Sequence, residues 1–254
     1  MTSIMVTNDD GYDAPGILAL AEAMQTLGDV QVAAPGTNQS ASGHKKTLFQ
    51  DIDYDITSIG NDIPTLAVYG SPADCIAVAV MGLIEGTPDI VVSGINRGEN
   101  MAQDLTYSGT VTAALEASIH GIPAVAVSLA NRTANDIEQY RISAEVVIPI
   151  VKKVLAQGLP PFTILNVNVP DVESKADLKG YRLTRQGVRV YLDILTRGAT
   201  QTVRIEGDPP AGDVDEIGTD LWAVHQGYVS VTPVHLDMTA HRFLADLEAW
   251  DVQL

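Results

Sequence analysis

Short apolar runs alternate along the chain with longer stretches whose apolar residues return every three or four positions. Ser3–Thr7, Val30–Ala33, Thr65–Tyr69, Asp89–Ser93, Ala124–Ser128 and Thr163–Val167 read as strands. Between them the spacing predicts helices. One runs from Pro15 to about Leu27, with proline in its first turn and Gly28 as the stop. A second opens at Ser71-Pro72, serine as N-cap, and continues through about Ile84. An alanine-rich third spans Gly109 to His120 before Gly121, and a fourth starts at Asn135, with Glu138 completing a capping box, and reaches about Ala156. Strands that are apolar without interruption and are separated by helices predict a parallel sheet covered on both faces, an α/β fold.

After about Val169 the pattern changes. Residues 181–206 are rich in strand formers with a glycine break near 198, which predicts a hairpin. Residues 207–220 are rich in Gly, Pro and acids and read as a loop or tether. A short strand at Tyr228–Thr232 and a last helix, capped by Thr239 and reaching about Trp250, complete the expectation. Residues 1–254 are read as one domain, with a core over about 1–180 and an arm and tail over about 181–254 that pack on the core or on a partner subunit.

Composition narrows the function. Apolar residues make up 46% of the 254, enough for a large core, but aromatics only 5%, so the core is aliphatic. A net charge of −17 argues against binding nucleic-acid polymers, where Lys and Arg supply the affinity. An anionic small substrate would need a local positive device, such as a metal ion or backbone N–H groups. A single cysteine, Cys75, excludes an internal disulfide and suits a reducing compartment. The first residues lack the basic segment of a secretory leader, and no run approaches the roughly 18–20 apolar residues of a membrane span. A cytoplasmic protein without membrane association is expected.

Ligands of open α/β sheets bind beyond the carboxyl ends of the strands. After the first strand stand Asn8, Asp9, Asp10 and Gly11. Adjacent carboxylates repel unless a cation lies between them, although a solvated turn before a helix N-terminus gives the same pattern. The loop after the second strand offers Ser40, Ser42 and Gly43, a weak signal alone. The loop after Ser93 carries Asn96, whose carbonyl oxygen suits a hard cation, and Arg97, which suits a phosphate. Ser108, Gly109 and Thr110 open the alanine-rich helix, either as a plain cap or as an anion seat. The donors are all oxygen, which points to Mg²⁺ or Mn²⁺. There is no P-loop, no dinucleotide fingerprint, no nucleophile elbow and no zinc-type His/Cys spacing. Cys75 reads as core packing, and Tyr12, Tyr107 and Tyr191 are candidates for stacking on a base.

In combination these segments resemble the SurE survival proteins, metal-dependent nucleoside monophosphate phosphatases. The resemblance rests on VTNDDGYDAPGI at 6–17, SASGH at 40–44, SPADC at 71–75, VVSGINRGEN at 91–100 and YSGTV at 107–111. It continues through GIPAVAVS at 121–128, LNVNVP at 165–170, TRQG at 184–187 and GYVSVTP at 227–233. It departs at Gly36, where relatives often carry an acid, and at Ser71, where they usually carry Thr. The resemblance implies a Rossmann-like three-layer α/β domain with a C-terminal β-hairpin arm exchanged between subunits of a homodimer or homotetramer. It implies one divalent ion per subunit held by Asp9, Asp10, Ser40 and Asn96. It places Ser108, Gly109 and Thr110 on the phosphate side, with Asn8 beside them. The reaction expected is removal of phosphate from nucleoside 5′- and 3′-monophosphates by metal-activated water, with Asp9 and Asp10 as the catalytic pair. A haloacid-dehalogenase-type aspartyl-phosphate route requires Asp-x-Asp where this chain has Asp-Asp. A nucleotide sensor would use the same loops without turnover.

Overall fold

The computed structural model describes residues 1–250, and only the backbone at 208–210. The last four residues of the expected tail lie outside the described residues. The strands are β1 (Ser3–Thr7), β2 (Asp29–Pro35), β3 (Tyr54–Ile59), β4 (Ile63–Val68), β5 (Ile90–Arg97), β6 (Ala124–Leu129), β7 (Thr163–Val169), β8 (Tyr181–Leu183), β9 (Arg189–Arg197), β10 (Val203–Gly212) and β11 (Val229–His235). The helices are α1 (Pro15–Met24), α2 (Pro72–Val78), α3 (Gly109–Ile119), α4 (Ile137–Gln157), α5 (Asp220–His225) and α6 (His241–Glu248). Among the described residues nine strands form one sheet in the order β3-β4-β2-β1-β5-β6-β7-β11-β8, and β9 with β10 forms a separate antiparallel hairpin.

The segment from β4 through β7 in that order is parallel. Both faces of this parallel core are buried, as the uninterrupted apolar strands predicted. In β1, Ile4 and Val6 join the cluster that contains Ile17, Leu20, Val147 and Val151 of α1 and α4. Met5 points the other way and joins Cys75, Ile76, Val111 and Ala114 of α2 and α3. The alternation follows from the strand period of two, and the result is three layers. Cys75 is fully buried, so packing is its role, and burial pushes its thiol well above the usual range.

Several local expectations are corrected. The edge strand β3 was not expected; five of its six residues are exposed, so it lacks the apolar signal of a buried strand. The second helix stops at Val78, passes into a π-type turn over Ala79–Leu83, and meets Gly82 at φ 133°, a left-handed conformation that ends it before Ile84. The capping box of α4 is one residue later than expected. Asp136 accepts from the Glu138 N–H at 2.9 Å, and Gln139 accepts from the Asp136 N–H at 3.0 Å. Residues 207–212 continue β10 instead of forming a tether, and α5 follows, capped by Thr219. Thr239 does not cap α6, whose cap residue is Ala240; the Thr239 N–H is used by Asp237 at 2.9 Å.

The expected tail is divided. β8 and β11 belong to the main sheet, β11 antiparallel to β7 and β8 parallel to β11. The arm proper is the β9–β10 hairpin. Its root is fixed by Asp220, a fully buried carboxylate that accepts from the N–H groups of Ala102 and Gly187, each at 2.8 Å, and of Leu221 at 2.9 Å.

Candidate active site

The sheet order turns at the β1–β5 pair. From β1 the chain adds β2 and β4 on one side and β5, β6 and β7 on the other. The loops after β1 and β5 therefore diverge and leave a crevice at the strand ends. Asn8–Gly11 and Asn96–Asn100 occupy it.

Asn8 holds the first loop in shape. It is fully buried, its Nδ2 donates to the Gly11 carbonyl at 2.8 Å, and its Oδ1 accepts from the Gly11 N–H at 3.3 Å. Its amide is thereby spent on the turn that presents the two carboxylates. Asp9 is 3% exposed and accepts a hydrogen bond from the Thr110 hydroxyl at the start of α3. Gly109 makes this approach possible, since a Cβ there would lie 2.6 Å from the Asp9 Cβ. Burial raises the Asp9 carboxyl to about 6, with the Asp10 charge adding to the rise and the Thr110 hydrogen bond opposing it. Asp10 is more accessible; burial raises it too, against the Arg97 N–H at 3.2 Å and the Asn38 Nδ2 at 3.3 Å.

Asp9, Ser40, Asn96 and Ser108 line one cavity of about 230 Å³, together with Arg97, Glu99, Asp104, Tyr107 and Arg132. Four loops distant in sequence thus meet. Asp10 lines a neighbouring cavity of about 150 Å³, with Arg97 common to both. Gly109 and Thr110 sit behind Asp9 instead of on the cavity wall. The Ser40 loop is held by backbone bonds from Gln39 N–H to the Asp9 carbonyl at 2.7 Å and from Gly43 N–H to the Tyr107 carbonyl at 3.0 Å. Asn96 donates from Nδ2 to the Gly98 carbonyl at 2.8 Å, which fixes its amide plane. Ser108 is both cap and wall: its Oγ accepts from the Val111 N–H at 3.1 Å, and it lines the cavity.

Among the described residues no three His, Cys, Asp or Glu side chains are arranged to hold a metal ion. A metal at this crevice would therefore use two carboxylates and neutral oxygens. That donor set is chemically suited to a hard divalent cation. Two carboxylates driven towards protonation by burial, with the Asp10 charge adding to the rise at Asp9, are also the groups that a cation would relieve.

The sequence did not single out Arg132, Glu99 as a partner, Asp104 or Arg189. Arg132 donates to Glu99 at 2.9 Å; Arg189 donates to the same carboxylate at 2.8 Å and to Asp104 at 2.9 Å. Arginines near a glycine-rich loop were the signal available, but their pairing depends on chain crossings. Of the tyrosines, Tyr107 is 61% exposed and lines the cavity. Tyr12 packs against the core, and Tyr191 donates to Asp104 at 2.7 Å. A larger cavity of about 590 Å³, bordered by Val111, Leu115, Thr184 and Val234, contains none of the expected ligands.

Known proteins share this arrangement of chain. Residues 4–193 match the family described as Survival protein SurE. A 5′-nucleotidase SurE of Geobacter sulfurreducens is 46% identical over 255 residues, covering 98% of this chain and 94% of that one. The 5′-nucleotidase SurE of Chloroflexus aggregans is 41% identical and covers 98% of both. The crystal structure of the SurE protein from Aquifex aeolicus matches with a TM-score of 0.82 at 39% identity, covering 98% of this chain and 100% of that one. Family match, near full-length identity and shared fold agree: the chain belongs to the SurE survival-protein family.

Proposed function

We propose that this chain is a divalent-metal-dependent phosphohydrolase that removes phosphate from nucleoside 5′- and 3′-monophosphates. The observation that carries the reading is the convergence of Asp9, Ser40, Asn96 and Ser108 on one cavity, with Asp10 adjoining. The names of the relatives, 5′-nucleotidase SurE, support the substrate class.

Asp9, Asp10, Ser40 and Asn96 would hold the ion, Mg²⁺ or Mn²⁺. When bound, it supplies positive charge and Lewis acidity towards a phosphoryl oxygen and water. The chain's own groups do the rest. Thr110 fixes the Asp9 carboxylate through its hydroxyl, so that ligand does not reorganise during the reaction. Ser108 accepts the Val111 N–H on a lone pair, which leaves its O–H to donate to a phosphoryl oxygen. The N-terminus of α3 directs positive dipole ends to the same region. Tyr107, exposed on the cavity wall, offers a ring for the nucleoside.

The reading also has the protein act in the cytoplasm as a homodimer or homotetramer through its arm. Exposed apolar residues on the hairpin, including Ile194 at 58% and Ile205 at 73%, support an arm covered in an assembly.

The test is phosphate release from 5′-AMP, 5′-GMP and 3′-AMP with Mn²⁺ or Mg²⁺, repeated with chelator. Turnover that needs the ion is expected; undiminished turnover in chelator removes the metal, and no turnover with any ion removes the enzyme. A phosphorylated enzyme trapped on Asp9 would replace the water mechanism.

A further inference from the structure

The candidate cavity carries positive side chains in a chain of net charge −17. One of them is built into place. Arg132, in the loop after β6, lines the cavity with Asp9, Ser40, Asn96 and Ser108. Its side chain is 46% exposed, and its Nη2 donates to Oε1 of Glu99 at 2.9 Å. Arg189, only 6% exposed, donates from its Nη2 to that same oxygen at 2.8 Å and from its Nε to Asp104 at 2.9 Å. Glu99 is thus shared between two guanidiniums while Asp104 balances Arg189, so the four groups are neutral together and the outer guanidinium, Arg132, is held in place by a single carboxylate oxygen.

The backbone gives way to it. Gly98 has φ 101°, and a Cβ there would lie 3.0 Å from Cγ of Arg132. The stem of Arg132 crosses the loop at the residue whose carbonyl holds the Asn96 amide. Among the described residues Glu99 is the one hydrogen-bond partner of Arg132, so donors of its five-donor fork remain for a ligand. Arg97, the cation expected from the sequence, lines the cavity too, but has no hydrogen-bonded carboxylate to orient its guanidinium among the described residues.

The geometry points to Arg132 as a substrate-binding residue: its guanidinium takes a non-bridging oxygen of the substrate's phosphoryl group, and Glu99 and Arg189 are positioning residues that hold it there. Arginine is suited to this because its planar fork matches phosphate oxygens. The inference deepens the proposed function and rests on its assignment of the cavity to a phosphate monoester. Arg132 belongs to ground-state binding as much as to the transition state, so its loss falls on KM more than on kcat.

The experiment compares the native protein with Arg132→Gln, Arg132→Lys, Glu99→Gln and the double variant Arg132→Gln/Glu99→Gln. Arg132 is half exposed, so its variants retain the fold. Arg132→Gln is expected to raise KM for 5′-AMP and the inhibition constant of inorganic phosphate about tenfold each, with kcat within about threefold. Arg132→Lys recovers part of that loss. Glu99→Gln raises KM less, and adds nothing further in the double variant, because it acts through Arg132. Unchanged KM and phosphate inhibition in Arg132→Gln overturn the assignment, and an additive double variant overturns the positioning role of Glu99. Calorimetric titration with inorganic phosphate keeps the two readings apart. A native protein that turns over no nucleotide refutes the proposed function alone. Phosphate affinity still decides Arg132: about tenfold weaker binding in Arg132→Gln supports it, and equal binding, or none to the native protein, overturns it.

Discussion

The crevice at the β1–β5 strand ends and the β9–β10 hairpin meet opposite fates. In the crevice, Asn8 and Asp9 are buried and Asn96 is half-buried, each with a partner: Asn8 on Gly11, Asp9 on Thr110, Asn96 on Gly98. On the hairpin, apolar groups are exposed and little covers them, with Leu195 at 61% and Ile205 at 73%. The crevice spends stability to concentrate charge. The hairpin holds apolar surface that a single subunit leaves in water. Stability and function are therefore separable in this molecule, and substitutions in the two regions should fail in different ways.

The largest contrast comes from Asp9. Asp9→Asn should lower nucleotidase turnover on the order of 10³-fold, measured as phosphate release. The same change should not destabilise the metal-free protein. The Asp9 carboxyl is raised to about 6, so its ionised form opposes folding above that pH. In chelator the native protein should therefore lose stability as pH rises from about 4 through about 6, by about 3 kcal/mol. Asp9→Asn should abolish that loss in calorimetric melts, and Mn²⁺ should reverse it in the native protein alone. A variant with near-normal turnover, or one that unfolds, would erase the distinction.

Next in size is the core beneath the crevice. Leu20→Ala empties a fully buried position in α1 and should cost about 2–5 kcal/mol in denaturant unfolding, whatever ligand is present.

A smaller effect is expected where the Ser40 loop is tied to α3. Glu116 is almost fully enclosed and is met by Lys46 at 2.6 Å, His44 at 3.0 Å and His120 at 3.2 Å. Burial alone would raise its carboxyl, but the hydrogen bonds from His44 and Lys46 prevail and bring it to about 2. The sign is that of a depressed acid: its contribution is complete above the unfolded value near 4.5 and is lost as pH falls towards 2. Glu116→Gln should cost roughly 2 kcal/mol at neutral pH after screening at the partly exposed His44 and Lys46. The gap between variant and native protein should narrow in melts as pH falls from about 4.5 and close near pH 2; a constant gap would show that packing, and not charge, is at stake.

The smallest effect belongs to the hairpin. Ile194→Ala should change the stability of a dilute subunit by less than about 0.5 kcal/mol, because the side chain is already exposed. The same substitution should matter only at concentrations where the arm is covered, and sedimentation would show it as weakened assembly.

The parallel core was legible because its strands are apolar on both faces, and the carboxylate pair because it follows the first of them. The weak Ser40 signal became a wall of the cavity once the fold bound Gln39 to Asp9 and Gly43 to Tyr107. Elements that lack an apolar period, such as β3, and short ones, such as α5, left little to read. The partners of Glu116 were invisible for another reason: His44 and Lys46 lie 72 and 70 residues away along the chain.

Local pattern thus settled which segments are strands, which helices cover them and which residue types stand at the strand ends, since periodicity and capping act over a few residues. Tertiary structure alone decided that Asp9 is buried against Thr110 while Asp10 faces the next cavity. It also decided that Arg132 reaches the site across Gly98 and that β8 and β11 join the sheet while β9 and β10 leave it. Those outcomes depend on strand order and on contacts between distant residues, and no local preference encodes either.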